Sequence, residues 1–521
     1  MHIIKYNNNR FYRKLCKIEN MRRKIWLSLI AIMLLGFAIR IYKITESPGG
    51  LYIDETSIGY NAYSLTQTGK DEHGVQWPLF FEAFGEWKLP VYIYSVYLTQ
   101  LVIGPTDLSV RLPAVIYGSL SVLFIGLLVS EMFIKDKRKE WLGIFSVLLL
   151  AISPWHFQFT HSGFEASAAV FFAILGLYLF FKAKNLHSGK WLILSIISLV
   201  FTLYSYNSSR IVVPVIGFIL FIFYFREFNW KAWVAGILFG LIICIPFLKF
   251  ALSPSGMVRA QMVSIFYQPY IYDPWKIFLS NYWINISPKT LFISGDPTIA
   301  HLTPFRMSLV YPFQAIFLLV GLFWCFWKIT KEKILLLVLL LISFIPPALA
   351  TLNPHALRGI FAVLPIQIIS AVGLMNLIWL FKNRIIKYLL LVIILSVFSY
   401  SLFKFLDIYH NYYAPNAYTD WQVDKKIISN YILANGQKYN AIYLSDDYGA
   451  IAYWWYLKLD PQMVLRDKSN LHIGKYYFAA DINKTLWQPN SIYINQQMTD
   501  KKLITTIYYP NDQIAAYIWG N

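Results

Sequence analysis

The sequence predicts a polytopic α-helical membrane protein. About eleven transmembrane helices are expected, with interfacial helices in the first outer loop and a small α/β extracytoplasmic C-terminal domain. Three observations predict this class. Of 521 residues, 57% are hydrophobic and only 14% charged, more apolar surface than a soluble domain of that size buries. The apolar residues gather into runs near the ~20 residues that cross hydrocarbon. The lysines and arginines fall mostly in short loops between those runs, where they read as orientation signals. The net charge of +19 is therefore assigned to the membrane, and no nucleic-acid partner is expected.

The apolar runs lie at roughly 25–42, 109–133, 141–154, 165–183, 191–206, 210–226, 232–250, 309–327, 334–350, 358–381 and 388–406. A basic tail, 1–24, precedes them and is expected to be cytoplasmic. No small-residue cleavage site follows, so the first run reads as an uncleaved anchor. Lys135, Lys137, Arg138 and Lys139, and later Lys382, Arg384 and Lys387, mark loops on the same side. Residues 89–104 (LPVYIYSVYLTQLVIG) would reverse that pattern if they crossed. They are read as an outer interfacial helix with Tyr92, Tyr94 and Tyr97 at headgroup level. Two long segments, 43–108 and 251–308, then face outside. So does 407–521, where AIYLS (441–445), SIYIN (491–495) and KLITTIY (502–508) read as strands. No internal repeat, glycine-rich phosphate loop or Cys/His metal cluster is present, and the three cysteines suggest no disulfide framework.

Mid-depth charge is nearly absent, which weakens a transporter reading. Polar residues collect instead at the outer ends of the runs. Arg40, Asp54, Glu55, Arg111, His156, His161, Glu165 and Arg210 do so, as do Asp296, His301, Arg306, His355 and Arg358. Each has a bland role: arginines snorkel to headgroups, Glu165 complements a helix dipole, and Asp54 caps a helix over 56–68. Their gathering on one face points further. Arginines bind phosphate as a fork. A carboxylate accepts a proton from an attacking hydroxyl, and an apolar setting raises its pKa toward working pH. A lipid-phosphate substrate, with its tail in the bilayer and its head among cations, suits such a rim. A lipid-glycan flippase using the rim as an exit gate is the alternative. A noncatalytic scaffold would leave the rim unexplained.

The stretch LYIDETSIGYNAYSLTQTGKDEHG (51–74) is followed by PLFFEAFGEWKLPVYIYSVYLTQLVIGPTDLSVRLPAVIYG (78–118). Together they resemble the first outer loop of GT-C glycosyltransferases, in particular protein O-mannosyltransferases and aminoarabinose–lipid A transferases of the bacterial family 39/83 type. SPWHFQFTHSGFEASAAVFF, LYSYNSSRIVVP, SGDPTIAHLTPFRMSLVYPF and NPHALRGIFAVLP extend the likeness, in order, over roughly 25–400. The resemblance implies inverting transfer of a sugar from a polyprenyl-phosphate lipid to an acceptor hydroxyl on the outer face. It implies Asp54 as general base, Glu55 orienting the base or acceptor, and Glu165 as the second acid. Lys88 would face phosphate, although Trp87-Lys88-Leu89-Pro90 only partly matches the family's Lys-Pro-Pro run. His355 and Arg358 would lie near the donor phosphate, joined there by Arg111 and Arg210 of the rim. Asp296, His301 and Arg306 form a candidate acceptor or loop site. Some relatives hold a divalent metal through a Glu beside the lysine and a later His. Glu86 stands one position further off and His301 is the counterpart, so no cofactor is assigned and that pair is the metal alternative. The acceptor, whether protein, lipid or polysaccharide, is left open.

Overall fold

The structure is a computed structural model. It describes residues 23–297, 307–327, 329–445, 450–467, 471–478, 481, 487–499 and 501–520. The basic tail before residue 23, His301 and Arg306 lie outside the described residues.

Helix α1 (Arg23–Ile41) leads into the first long loop. There α2 (Ile53–Thr68) starts on a reciprocal cap: the Tyr52 N–H donates to Glu55 Oε2 at 2.9 Å. The helix begins at Ile53, so Asp54 lies within its first turn rather than capping a helix over 56–68. Strands β1 (Phe81–Ala83) and β2 (Glu86–Lys88) form an antiparallel hairpin. Its two turn residues, Phe84 (φ 55°) and Gly85 (φ 73°), both take the left-handed backbone that two-residue hairpins use.

Helix α3 (Pro90–Ile103) follows, with proline in its first turn. Its 14 residues span about 21 Å, short of the ~30 Å hydrocarbon core, so it does not fit a crossing helix. Tyr92 departs from its expected headgroup position: it is fully buried and donates to the Val110 carbonyl.

The bundle continues with α4 (Asp107–Met132), α5 (Lys139–Ala151), α6 (Pro154–His161), α7 (Ala166–Leu186), α8 (Gly189–Leu203), α9 (Ser209–Tyr224) and α10 (Trp230–Ala251). The second long loop carries α11 (Pro254–Val263) and α12 (Pro274–Ile286). After it come α13 (Gln314–Phe326), α14 (Lys331–Ile342), α15 (Ile345–Ala348), α16 (Val363–Leu380) and α17 (Arg384–Asp407). Among the described residues, seven helices are long and apolar enough to span a membrane, or eight if α5 and α6, bent by 57°, make one span. All eleven predicted runs contain helix, but α8 and α13 are short. The 334–350 run breaks between α14 and α15, where Pro346 and Pro347 remove backbone donors.

Beyond α17, α18 (Ala414–Asn416) and α19 (Val423–Asn435) lead to a mixed sheet that also carries α20 (Ala450–Tyr456) and α21 (Pro461–Arg466). Its strands are β3 (Ala441–Leu444), β4 (His472–Ile473), β5 (Tyr476–Tyr477), β6 (Ser491–Asn495), β7 (Lys502–Tyr508) and β8 (Ile514–Gly520), in the order β4-β5-β3-β6-β8-β7. The three predicted strands are β3, β6 and β7. Strand β8 was not anticipated; it pairs between β6 and β7.

Candidate active site

One pocket assembles polar side chains from five separate segments. The first turn of α2 supplies Asp54, and β2 supplies Lys88. The Lys88 Nζ donates to Asp54 Oδ1 at 2.6 Å, with Lys88 buried and the Asp54 side chain 37% exposed. Glu165 comes from the N-cap of α7. Arg259, on α11, pairs with Glu86 of β2. The turn between α8 and α9 adds Tyr206 and Asn207. The cavity they line holds about 30 Å³, room for about two waters.

The pocket's charges are unevenly solvated. Glu165 Oε1 is sealed from solvent with no hydrogen-bond partner among the described residues. Burial, reinforced by Asp54 and Glu86 and opposed by Lys88 and Arg259, pushes the Glu165 carboxyl up to about 7. Burial alone would lower the Lys88 ammonium; Asp54, then Glu165 and Glu86, outweigh it and hold it above the usual lysine range. Arg259 is likewise held charged against burial, chiefly by Glu86. Arg358, in the turn before α16, makes no hydrogen bond or ion pair among the described residues. Burial, and then Arg259, lower it to about 10. The arrangement is three carboxylates around two cations, with a further guanidinium electrostatically coupled to Arg259.

Glu55 and Arg111 are corrected from their expected roles. Arg111 Nε and Nη2 donate to both Glu55 oxygens at 2.8 and 3.0 Å. Its remaining donors go to the Ile44, Pro48 and Gly50 carbonyls. Every N–H of the fork is spent, and both residues are fully buried, so Arg111 offers nothing to a phosphate. Glu55 also accepts from the Gly163 N–H at 2.6 Å. A Cβ on Gly163 would stand 2.9 Å from that carboxylate, so only glycine fits there.

The other predicted residues divide. Arg210 lies outside the pocket; its Nη1 donates to the Gly256 carbonyl at 2.9 Å and its guanidinium stacks over Phe247 and Phe250. It anchors α11, and through it Arg259. His355 is buried away from the pocket, its N–H donating to Asn285 Oδ1. Asp296 is 2% exposed and accepts from the Ala356 N–H at 2.8 Å. It braces the turn that precedes α16. Arg40 is interior, donating to Thr160, Gly36 and Ala151. It stitches α1 to α5 and α6 instead of lying at a rim.

Of the metal alternative, Glu86 and His301, only Glu86 lies among the described residues. Glu86 is engaged by Arg259, and no group of three His, Cys, Asp or Glu side chains is arranged for an ion among them.

Arg259, Tyr206 and Asn207 went unread as site residues. Tyr206 and Asn207 stand inside LYSYNSSRIVVP, a signal already in hand. The clue to Arg259 was weaker: a lone arginine in a short Pro-led helix just past the α10 run.

A bent, multi-span bundle with a long first loop, a hairpin-borne lysine and an acidic pocket at one end defines a membrane protein with the GT-C fold. Residues 88–250 match the family model described as dolichyl-phosphate-mannose-protein mannosyltransferase. The oligosaccharyltransferase of Archaeoglobus fulgidus in its apo form has a TM-score of 0.56 at 16% identity, covering 88% of this chain and 65% of that one. Its complex, AglB with an inhibitory peptide and a dolichol-phosphate, has a TM-score of 0.55 at 15% identity, covering 84% and 64%. ArnT from Cupriavidus metallidurans bound to undecaprenyl phosphate has a TM-score of 0.53 at 10% identity, covering 95% and 97%. The chain thus spans under two thirds of the archaeal enzyme and nearly all of ArnT. No curated protein matches it.

Proposed function

We propose that the protein transfers a sugar from a polyprenyl-phosphate lipid to an acceptor hydroxyl, with inversion, on the outer face of the plasma membrane. The carrying observation is the pocket itself: Asp54, Glu165, Lys88 and Arg259 converge at one end of a GT-C bundle. The family match over 88–250, and the polyprenyl phosphates named with both solved relatives, support this donor chemistry.

Asp54 accepts the acceptor's hydroxyl proton, and the freed oxygen attacks the anomeric carbon. The bond from that carbon to the phosphate oxygen breaks, and its electron pair leaves with the phosphate. Arg259 and Arg358 stabilise the departing charge, and Lys88 keeps Asp54 oriented. No step is routed through a metal. In this reading the basic tail is cytoplasmic and the C-terminal sheet extracytoplasmic.

Membranes carrying Asp54→Asn, supplied with polyprenyl-phosphate mannose and an envelope acceptor extract, should transfer sugar at least about 100-fold more slowly. Undiminished transfer removes Asp54 from the base role.

A further inference from the structure

A second cavity, of about 300 Å³, lies between α5, α16 and α17. Helix α16 runs from the Arg358 turn toward this cavity, and its 18 residues span about 27 Å. The cavity therefore belongs to the end of the bundle opposite the Asp54 pocket. Its mouth carries Arg384 and Lys387, and no carboxylate lines it among the described residues. Arg384 makes no hydrogen bond or ion pair among the described residues, and Lys387 Nζ stands 5.3 Å from the Trp379 ring centroid.

The walls are apolar. Trp141 and Trp379 lie 6.2 Å apart, and Phe145, Ile378 and Leu391 continue the surface. Phe145 and Leu391 sit one helical turn deeper than Trp141 and Lys387. Charge at the mouth and hydrocarbon below match an amphiphile with an anionic head.

Orientation of the chain needs only the count of basic residues; it does not need a tryptophan-walled cavity beneath them. The two cations also stand in the first turn of α17, where the helix dipole disfavours positive charge. An anion there relieves that cost. Basic pockets between spanning helices are a recurring way to hold lipid headgroups.

We propose that this groove binds one anionic phospholipid. Its phosphate rests on Arg384 and Lys387, and an acyl chain lies along Trp141, Phe145 and Leu391. The assignment is independent of the transferase reading.

The test is thermal unfolding of the full chain in neutral detergent, titrated separately with phosphatidylglycerol, phosphatidylcholine, polyprenyl phosphate and inorganic phosphate. Phosphatidylglycerol should stabilise the protein saturably, with phosphatidylcholine and inorganic phosphate without effect. Arg384→Gln/Lys387→Gln should raise the half-saturating concentration roughly tenfold, whereas Lys137→Gln, a charge removed elsewhere, should leave it unchanged. Arg384 is exposed and Lys387 half-buried, and neither is an ion-pair partner among the described residues, so the double variant should elute as the wild type does. Phosphatidylglycerol stabilisation that survives the double variant overturns the proposal. So does equal stabilisation by phosphatidylcholine or inorganic phosphate, or a response to polyprenyl phosphate alone.

Discussion

Adjacent helical residues diverge by about 100°, and on α2 that step sends Asp54 toward Lys88 and Glu55 toward Arg111. The first carboxylate is left in a partly open pocket; the second is locked in a buried fork. Their mutational signatures should differ accordingly. Glu55→Gln leaves Arg111 as an under-compensated buried charge, a loss on the order of 3–5 kcal/mol. Its expected phenotype is a lowered unfolding temperature with the donor KM of the surviving folded protein unchanged. A raised KM at unchanged stability would return Arg111 to the donor site. Glu165 carries a pH signature. Its value near 7 lies above the ordinary 4.5, so between those values the folded protein holds a proton the unfolded chain has released. Stability should then fall as pH rises from about 4.5 to about 7. Glu165→Gln should flatten that slope in unfolding scans across the window, and an unchanged slope would assign it to another group.

At the scale of elements, close approach sets the geometry that side chains then use. On α13, a Cβ at Gly321 would strike the Ile369 carbonyl of α16; on α16, one at Gly373 would strike the Phe317 carbonyl of α13. Reciprocal small residues let two backbones meet, as apolar membrane helices require. Gly373→Val should cost about 1–3 kcal/mol by overpacking, seen as a lower unfolding temperature and a broadened elution profile. Unaltered stability would mean that the pair separates freely. The β1–β2 hairpin shows the same dependence at the site. Its turn holds Lys88 within reach of Asp54 across a loop of more than thirty residues.

Across the whole molecule, the C-terminal region is docked against the helices that frame the pocket. Asp107, in the first turn of α4, accepts from Lys426 Nζ at 2.8 Å and from Trp455 Nε1 at 3.1 Å. The Tyr456 hydroxyl accepts from the Leu51 N–H, and the Tyr60 hydroxyl donates to the Leu459 carbonyl. Helix α20 and the loop after it thereby brace α2, the helix that carries Asp54. Asp107→Ala should speed amide hydrogen exchange in α19 and α20 and in the first turns of α2 together. Faster exchange in α19 and α20 alone would show that the two regions move independently.

The membrane class, the helical runs, the strands at 441–445, 491–495 and 502–508, and the gathering of Asp54, Lys88 and Glu165 were legible in the sequence. Each rests on local information: apolar run length, alternation, or a motif in one stretch of chain. Which cation meets which carboxylate was not legible. Arg111 and Arg259 are both arginines near a membrane edge, and nothing in their neighbours says that one is spent on Glu55 and three carbonyls while the other reaches the pocket. The length of α13, the break before α15 and the burial of Tyr92 were equally hidden. Those outcomes depend on how distant helices pack, because ion pairing and burial are properties of the space between elements rather than of any one stretch of chain.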